Sequence, residues 1–163
     1  MPIALQVELL SKVVAYDRNF AARVQGSVQV LILTRAGDST SEHVARHLEA
    51  SFDRLERLGN LPQAHRAAHF QDAASLSKLC RERSIDIVYL TPGLEDQLPQ
   101  IVAALTGLDL LSVSANPAHV QARVVLGFDL VSGKPKLLVH LGQAKLQGVA
   151  FRSDLLKLAR VYQ

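Results

Sequence analysis

The residues of this chain best suited to metal chemistry are its histidines. His43 and His47 are four positions apart, so on a helix both would face one side and could bind one ion. A zinc hydrolase of the His-Glu-x-x-His type also needs a glutamate directly after the first histidine, where this chain has Val44. His65 and His69 would share one face of a strand. Neither pair has a cysteine or carboxylate cluster at ligand spacing, so we predict no metal site and no cofactor.

The carboxylates and the single cysteine offer no catalytic set. Glu95 and Asp96 would lie in the first turn of a helix, where negative side chains complement the helix dipole without any chemical role. Cys80 is alone, so it cannot form an intrachain disulfide, and its apolar helical surroundings predict a small buried side chain. No Gly-x-Ser-x-Gly elbow exposes a nucleophile. We therefore predict no catalytic residues and a protein that is not an enzyme.

The usual glycine-rich phosphate loops are also absent. Neither Gly-x-Gly-x-x-Gly nor Gly-x-x-x-x-Gly-Lys-Ser/Thr occurs in the chain. Residues 34–40 form a loop with one glycine, Gly37, that leads into a predicted helix whose N-terminus favours an anion. Ordinary capping by Asp38, Ser39 or Thr40 explains the same composition. The loop by itself does not indicate a nucleotide.

Strands and helices alternate along the first 120 residues. Apolar runs predict buried strands at 28–33, 85–90 and 110–114, and residues 63–70 are a weaker strand candidate. Apolar side chains at helical spacing predict helices at 4–24, from the 38–40 loop to Gly59, from Asp72 past Cys80, and at 94–105. This alternation predicts an α/β fold, a three-layer sandwich with a mainly parallel sheet.

The pattern changes in the last third of the chain. Residues 123–131 and 136–141 alternate in character around Ser132-Gly133-Lys134-Pro135, which predicts an antiparallel hairpin at the edge of the sheet. A final helix is predicted at 153–162. Because no linker, repeat or low-complexity tract interrupts the chain, we predict one domain over residues 1–163.

A sheet of this type binds ligands beyond the carboxyl ends of its parallel strands. The polar residues that follow the predicted strands are Arg35, Ser39, Thr91 and Asn116. These four side chains are the predicted ligand contacts.

The net charge of +3 does not indicate a nucleic-acid partner. Acidic and basic residues are interspersed, whereas nucleic-acid binding needs basic residues gathered on one stripe. No apolar run approaches the roughly 20 residues of a spanning helix, so we predict that the protein is not embedded in a membrane. The first residues lack the basic lead of a signal peptide, which leaves a cytoplasmic protein or one whose signal has been removed.

The last forty residues are the most distinctive. They contain the hairpin with its Gly133-Lys134 turn, then Ala144-x-x-x-Gly148, then Leu155-Leu156-Lys157-Leu158-Ala159-Arg160-Val161. This part of the chain resembles the end of the YfiR family, and the predicted first helix and middle strands are similar to the rest of it. The chain departs from the family in its single cysteine, where many members carry cysteine pairs.

The resemblance implies a periplasmic signalling regulator without catalytic residues. Well-understood members repress a membrane-bound diguanylate cyclase, and so control cyclic di-GMP and biofilm behaviour. On this basis we expect the full-length gene to encode a secretion signal upstream of Ile3.

Two functions remain open from the sequence. The first is regulation through protein–protein binding, with Tyr16, Phe20 and Tyr162 as predicted partner contacts on the first and last helices. The second is binding of a small molecule in the crevice at the strand ends. Unpaired edge strands and an amphipathic first helix make a homodimer an additional expectation.

Overall fold

The computed structural model describes residues 1–163 and contains seven strands and eight helices. The strands are β1 (Val28–Thr34), β2 (Gln63–His69), β3 (Ile87–Leu90), β4 (Leu111–Ser114), β5 (Leu126–Val131), β6 (Lys134–His140) and β7 (Ala159–Tyr162). The helices are α1 (Ile3–Val13), α2 (Phe20–Arg23), α3 (Ser39–Asp53), α4 (Ala73–Glu82), α5 (Leu98–Leu105), α6 (Pro117–Gln121), α7 (Leu141–Leu146) and α8 (Ser153–Leu156). No helix is long and apolar enough to cross a bilayer.

The strands form one sheet in the order β2-β1-β3-β4-β5-β6-β7. Strands β1 to β5 run parallel, and β5 and β6 form the predicted antiparallel hairpin, from Leu126 opposite Val139 to Val131 opposite Lys134. Strand β7 lies parallel to β6 at the outer edge. The α/β class, the mainly parallel sheet and the hairpin toward one edge are confirmed.

Each face of the sheet has its own apolar core, because successive strand residues point to opposite sides. Val30 and Ile32 of β1 pack with α1 and α3 on one face. Leu31 and Leu33 pack with α4 and α5 on the other. The central strands are therefore buried on both sides, which explains why they read as continuous apolar runs.

The first helix is shorter than predicted. It ends at Val13, Val14–Tyr16 form a 3₁₀ turn, and α2 follows only at Phe20. The buried carboxylate of Asp17 accepts hydrogen bonds from the backbone N–H groups of Asn19 and Ala150. Asp17 itself is extended, with ψ at 115°. The extended backbone at Asp17 ends the helical segment and lets the Asp17 carboxylate reach the N–H groups of Asn19 and Ala150.

The predicted final helix at 153–162 is wrong in its second half. Helix α8 stops at Leu156, and Ala159–Tyr162 pair with Leu137–His140 of β6 as strand β7. The spacing of the apolar residues allows a helix, but Val161 and Tyr162 favour strands. Pairing with β6 satisfies the backbone groups of an otherwise open strand.

Two short helices were not predicted. Helix α6 begins at Pro117, and the side chain of Asn116 caps it by accepting from the backbone N–H of Ala118. An Asn before a Pro at the first helical position is a helix-start signal. Helix α7 begins after His140, whose Nδ1 accepts from the backbone N–H of Gln143.

Candidate functional site

Two of the predicted ligand contacts, Arg35 after β1 and Thr91 after β3, form hydrogen bonds within the protein. Arg35 donates from Nη1 to the carbonyl oxygen of Gly93 at 2.9 Å. Thr91 is fully buried, donates to the carbonyl oxygen of Leu33 at 2.9 Å, and lies 2.6 Å from the hydroxyl of Ser41. These bonds close the gap between the carboxyl ends of β1 and β3. The strand order reverses at that gap, which is the usual ligand position in such sheets.

Ser39 and Gly93 have local structural roles at the same place. Ser39 is the exposed first residue of α3, whereas the N-cap is Asp38, which accepts from the backbone N–H of Ser41 at 2.9 Å. Gly93 has a φ of +97°, and a Cβ atom there would lie 2.6 Å from the Asp38 carboxylate. The loop after β1 and the loop after β3 are therefore in tight contact. Of the four predicted ligand residues, Arg35, Ser39 and Thr91 do not share a cavity with Asn116.

A cavity of about 490 Å³ opens one strand further along, at the carboxyl ends of β3 and β4. We call it the carboxyl-end crevice. Helices α1 and α3 and the loops after both strands complete its walls, and its lining residues are Met1, Ile3, Gln6, Val44, Tyr89, Leu90, Pro92, Ser114, Ala115, Asn116 and Pro117. Asn116 is the one predicted contact that lines it. The prediction missed Gln6, Tyr89 and Ser114, because residues inside a helix or a buried strand carry no sequence signal for a site.

The polar side chains that line the crevice are uncharged. The hydroxyl of Tyr89 donates to Oε1 of Gln6 at 2.5 Å, and Nε2 of Gln6 donates to the carbonyl oxygen of Met1. Burial raises the pKa of Tyr89 well above its ordinary value, so the phenol stays neutral. The N-terminus of α1 also faces the crevice. A helix N-terminus stabilises an anion by about 0.3–1 kcal/mol, whereas burying an unpaired carboxylate costs several kcal/mol.

Ser114, His119 and Glu95 form a chain of polar side chains beneath the crevice. The Ser114 hydroxyl is 2.7 Å from Nδ1 of His119, and Nε2 of His119 is 3.2 Å from Oε1 of Glu95. Burial alone would raise the pKa of Glu95, but backbone N–H groups and the His119 ring bring it below its ordinary value. Serine, imidazole and carboxylate follow in the order of a hydrolase triad.

The same three residues nevertheless have a structural arrangement. Ser114 is buried, and its hydroxyl also accepts from the backbone N–H of Asn116 at 3.1 Å. The imidazole presents Nδ1 to the serine, whereas hydrolase triads present Nε2. The chain fastens α6 against the loop after β3.

The opposite end of the sheet contains a cavity of about 350 Å³ with a charged lining, which we call the amino-end cavity. Its charged residues are Arg23, Arg81, Asp86 and Asp109. Arg23 pairs with the buried Asp17 at 2.9 Å and donates to the carbonyl oxygen of Gly148. Asp86 accepts from the backbone N–H of Gln29, and burial raises the pKa of its carboxyl.

The histidines and the cysteine do not assemble a metal site. The rings of His43 and His47 touch edge to face on the exposed side of α3, with centroids 4.4 Å apart. His65 stacks on Phe52, and His69 bonds the hydroxyl of Thr34. No three metal-ligating side chains converge in the structure. Burial raises the pKa of Cys80 to about 12, so its thiol remains protonated.

The predicted partner contacts are mostly covered. Phe20 is only 4 % exposed and belongs to the apolar core. Its prediction as a partner contact is therefore corrected, because a partner could not reach the side chain. Tyr16 is half-buried beneath the guanidinium of Arg152, 4.6 Å from its ring centre. Tyr162 is half-buried in β7, beside His140 of β6. Neither tyrosine belongs to a long apolar helix face, because α1 ends before Tyr16 and β7 replaces the predicted last helix.

The most exposed large apolar side chains lie elsewhere. Leu130 and Val131 are at the end of β5, and Leu158 directly precedes β7 with 68 % of its surface exposed. Strand β5 pairs with β4 only at Leu126 and Gly127, so its last four residues extend beyond the end of β4. We define the hairpin surface as Leu130, Val131, Leu158 and Pro135, which lies opposite Leu130. Leu146, on α7, is a fourth exposed large apolar side chain.

Comparison with protein-family models matches residues 40–160 to the YfiR/HmsC-like family. No curated protein sequence matches the chain. The matched part excludes α1, α2 and β1 but includes all except the last three residues of the distinctive C-terminal region.

Several solved structures share the fold. A conserved domain protein from Vibrio cholerae superposes with a TM-score of 0.68 at 12 % identity, over 99 % of this chain and 60 % of its own. An ABC domain in complex with L-Trp from Streptococcus pneumonia gives the same TM-score and identity, over 99 % and 62 %. A ligand-free, open substrate-binding protein with adhesive properties from Clostridium difficile gives 0.66 at 10 %, over 96 % and 58 %. The chain thus spans about three fifths of the length of these proteins, and the likeness is one of fold.

Proposed function

Because the chain belongs to the YfiR/HmsC-like family, we propose that it is a non-catalytic regulator that acts in the periplasm by binding another protein. The partner in this proposal is the extracytoplasmic part of a membrane-bound signalling protein such as a diguanylate cyclase. Binding to one conformational state of the partner shifts its equilibrium, so regulation needs no chemistry on this chain. The structural arrangement of Ser114 and His119 is consistent with such a role.

The observation that carries this proposal is the hairpin surface. Its side chains are exposed on a hairpin that extends past the neighbouring strand. Leu130 and Val131 are consecutive in β5, so each face of the free end of the hairpin presents an exposed apolar side chain. Exposed large apolar side chains on such an extension are typical of segments that another molecule covers. Burying one leucine fully contributes about 1.5–3 kcal/mol, so two or three of them account for much of a specific interaction.

Lysines are neighbours of the hairpin surface in the chain. Lys134 and Lys157 are exposed and adjoin Pro135 and Leu158, and Lys136 is half-buried on β6. An apolar centre with a charged rim is the usual anatomy of a protein interface. We therefore expect the partner to present an apolar patch with acidic residues around it.

The L-Trp bound in one of the solved structures does not support an amino-acid ligand for this chain. A free amino acid carries an ammonium and a carboxylate, and each needs an opposite charge or several hydrogen bonds when buried. The carboxyl-end crevice has no charged side chain in its lining.

The proposal is tested with a membrane-bound diguanylate cyclase as the candidate partner. Membranes containing that cyclase are assayed for cyclic di-GMP formation with and without saturating purified protein. We expect the wild-type protein to lower the rate and Leu130→Asp or Leu158→Asp to weaken binding at least about tenfold, because each buries a charge. Unaltered cyclase output at saturating wild-type protein would contradict the proposal.

Leu146→Asp is the matched control. Leu146 is 47 % exposed, close to the 43 % of Leu130, but lies on α7, away from the hairpin. It should leave the binding affinity and the inhibition unchanged. Equal weakening by the Leu146 and Leu130 variants would locate the interaction elsewhere and remove the support that the hairpin surface gives.

A further inference from the structure

We propose that the carboxyl-end crevice binds an uncharged small molecule with a mainly apolar body and one carbonyl or carboxamide group. The inference rests on the crevice alone and does not depend on the proposed partner. A volume of about 490 Å³ lies within the range of sites that bury drug-sized ligands. A molecule of two fused rings would fit inside it.

The walls of the crevice favour an apolar body. Ile3, Val44 and Leu90 line it together with two prolines and Ala115. The surrounding charges are used elsewhere, since Arg35 is bonded to Gly93 and Glu95 to the ring of His119. A charged ligand would lose its hydration in the crevice without meeting an oppositely charged side chain.

Asn116 supplies the recognition of the polar group. Its Oδ1 accepts from the backbone N–H of Ala118, which fixes the orientation of the amide. Both hydrogens of its Nδ2 are left for a ligand oxygen. Gln6 has one bond to Met1 from Nε2, so its second amide hydrogen is a further donor at the same wall.

The free N–H groups at the start of α1 point to the same ligand end. No side chain caps this helix, and its first residue, Ile3, lines the crevice. Free N–H groups are satisfied by a carbonyl oxygen without the desolvation that a carboxylate requires. A neutral acceptor therefore fits the crevice better than an anion does.

The experiment compares three probes that share one ring system and differ in charge. Naphthalene-2-carboxamide, naphthalene-2-carboxylate and naphthalen-2-ylmethanamine are titrated into the protein at pH 7.5, with binding followed by calorimetry and by NMR of the Asn116 and Gln6 side-chain amides. We expect the carboxamide to bind at least tenfold more tightly than either charged probe and to shift both amide signals. Absence of saturable carboxamide binding, or equal affinity for a charged probe, would overturn the proposal.

Three variants test the location and the specificity of binding. Ala115→Leu fills the crevice and should weaken carboxamide binding at least tenfold, whereas Ala22→Leu fills the amino-end cavity and should leave it unchanged. Asn116→Asp keeps a capping side chain for α6 but places a carboxylate at the wall. It should reverse the preference from the carboxamide to the amine. An unchanged order of affinities in Asn116→Asp would contradict the role of Asn116, whatever its effect on folding.

Discussion

The two ends of the parallel sheet differ in how their polar groups are used. At the amino end, Asp17, Arg23 and Asp86 are charged groups that bind backbone N–H and carbonyl groups or one another. At the carboxyl end, the crevice is lined by neutral side chains, and Asn116 keeps free donors. Charge is thus concentrated where the fold is held together, while the crevice that could take a ligand is uncharged. Cavities with many charged residues need not be binding sites.

The largest expected effect is at the buried ion pair of the amino end. Asp17→Ala leaves Arg23 charged and without its partner, in a position where its side chain is only 5 % exposed. Breaking such a pair lowers the free energy of unfolding by about 3–5 kcal/mol. Urea unfolding of the variant and the wild type measures this loss. Asn116→Ala, at the carboxyl end, removes a helix cap and should cost about 1 kcal/mol. Equal losses in the two variants would remove the contrast between the ends.

A smaller effect concerns His140, at the amino end of the sheet. Burial, and then the charge of Arg123, lower the pKa of His140 below its ordinary 6.5. As pH falls through 6.5, the unfolded chain therefore binds a proton first, and the free energy of unfolding decreases. Protonation also removes the Nδ1 acceptor that caps α7.

His140→Asn tests this pH dependence because Asn caps a helix at any pH. Urea unfolding at pH 7.5 and pH 5.5 should show a smaller loss for the variant than for the wild type, with a difference of about 1 kcal/mol. Identical losses would show that another group controls the acid sensitivity.

The smallest effect is expected at Asp86. Burial raises the pKa of its carboxyl, so the unfolded chain releases this proton first as pH rises, and ionisation lowers the stability of the folded state. Asp86→Asn keeps an acceptor for the backbone N–H of Gln29. The variant should be more stable at pH 7 by less than about 1 kcal/mol, and the gain should disappear near pH 3 in thermal unfolding. Destabilisation at pH 7 would show that attraction to Arg23 outweighs burial.

The comparison of the two ends also explains how far the sequence could predict the candidate site. Arg35, Ser39 and Thr91 follow buried strands and lie at the carboxyl end of the sheet. The sequence could not show that Ser41 and Gly93 would bond to Thr91 and Arg35 and close the gap between β1 and β3. Those contacts join residues about fifty positions apart, which no local pattern reports.

Local patterns did determine much of this protein. The buried runs of β1, β3 and β4, the caps at Asp38 and Asp72 and the turn of the hairpin specify an α/β sheet, because propensity, capping and alternation act between near neighbours. Only the tertiary structure decided that residues 159–162 form a strand, that Asp17 ends the first helix, and that the open crevice lies between β3 and β4. Each depends on a partner distant in the chain: the edge of β6, the backbone N–H of Ala150 or a helix packed above the sheet. Such long-range contacts override local preference.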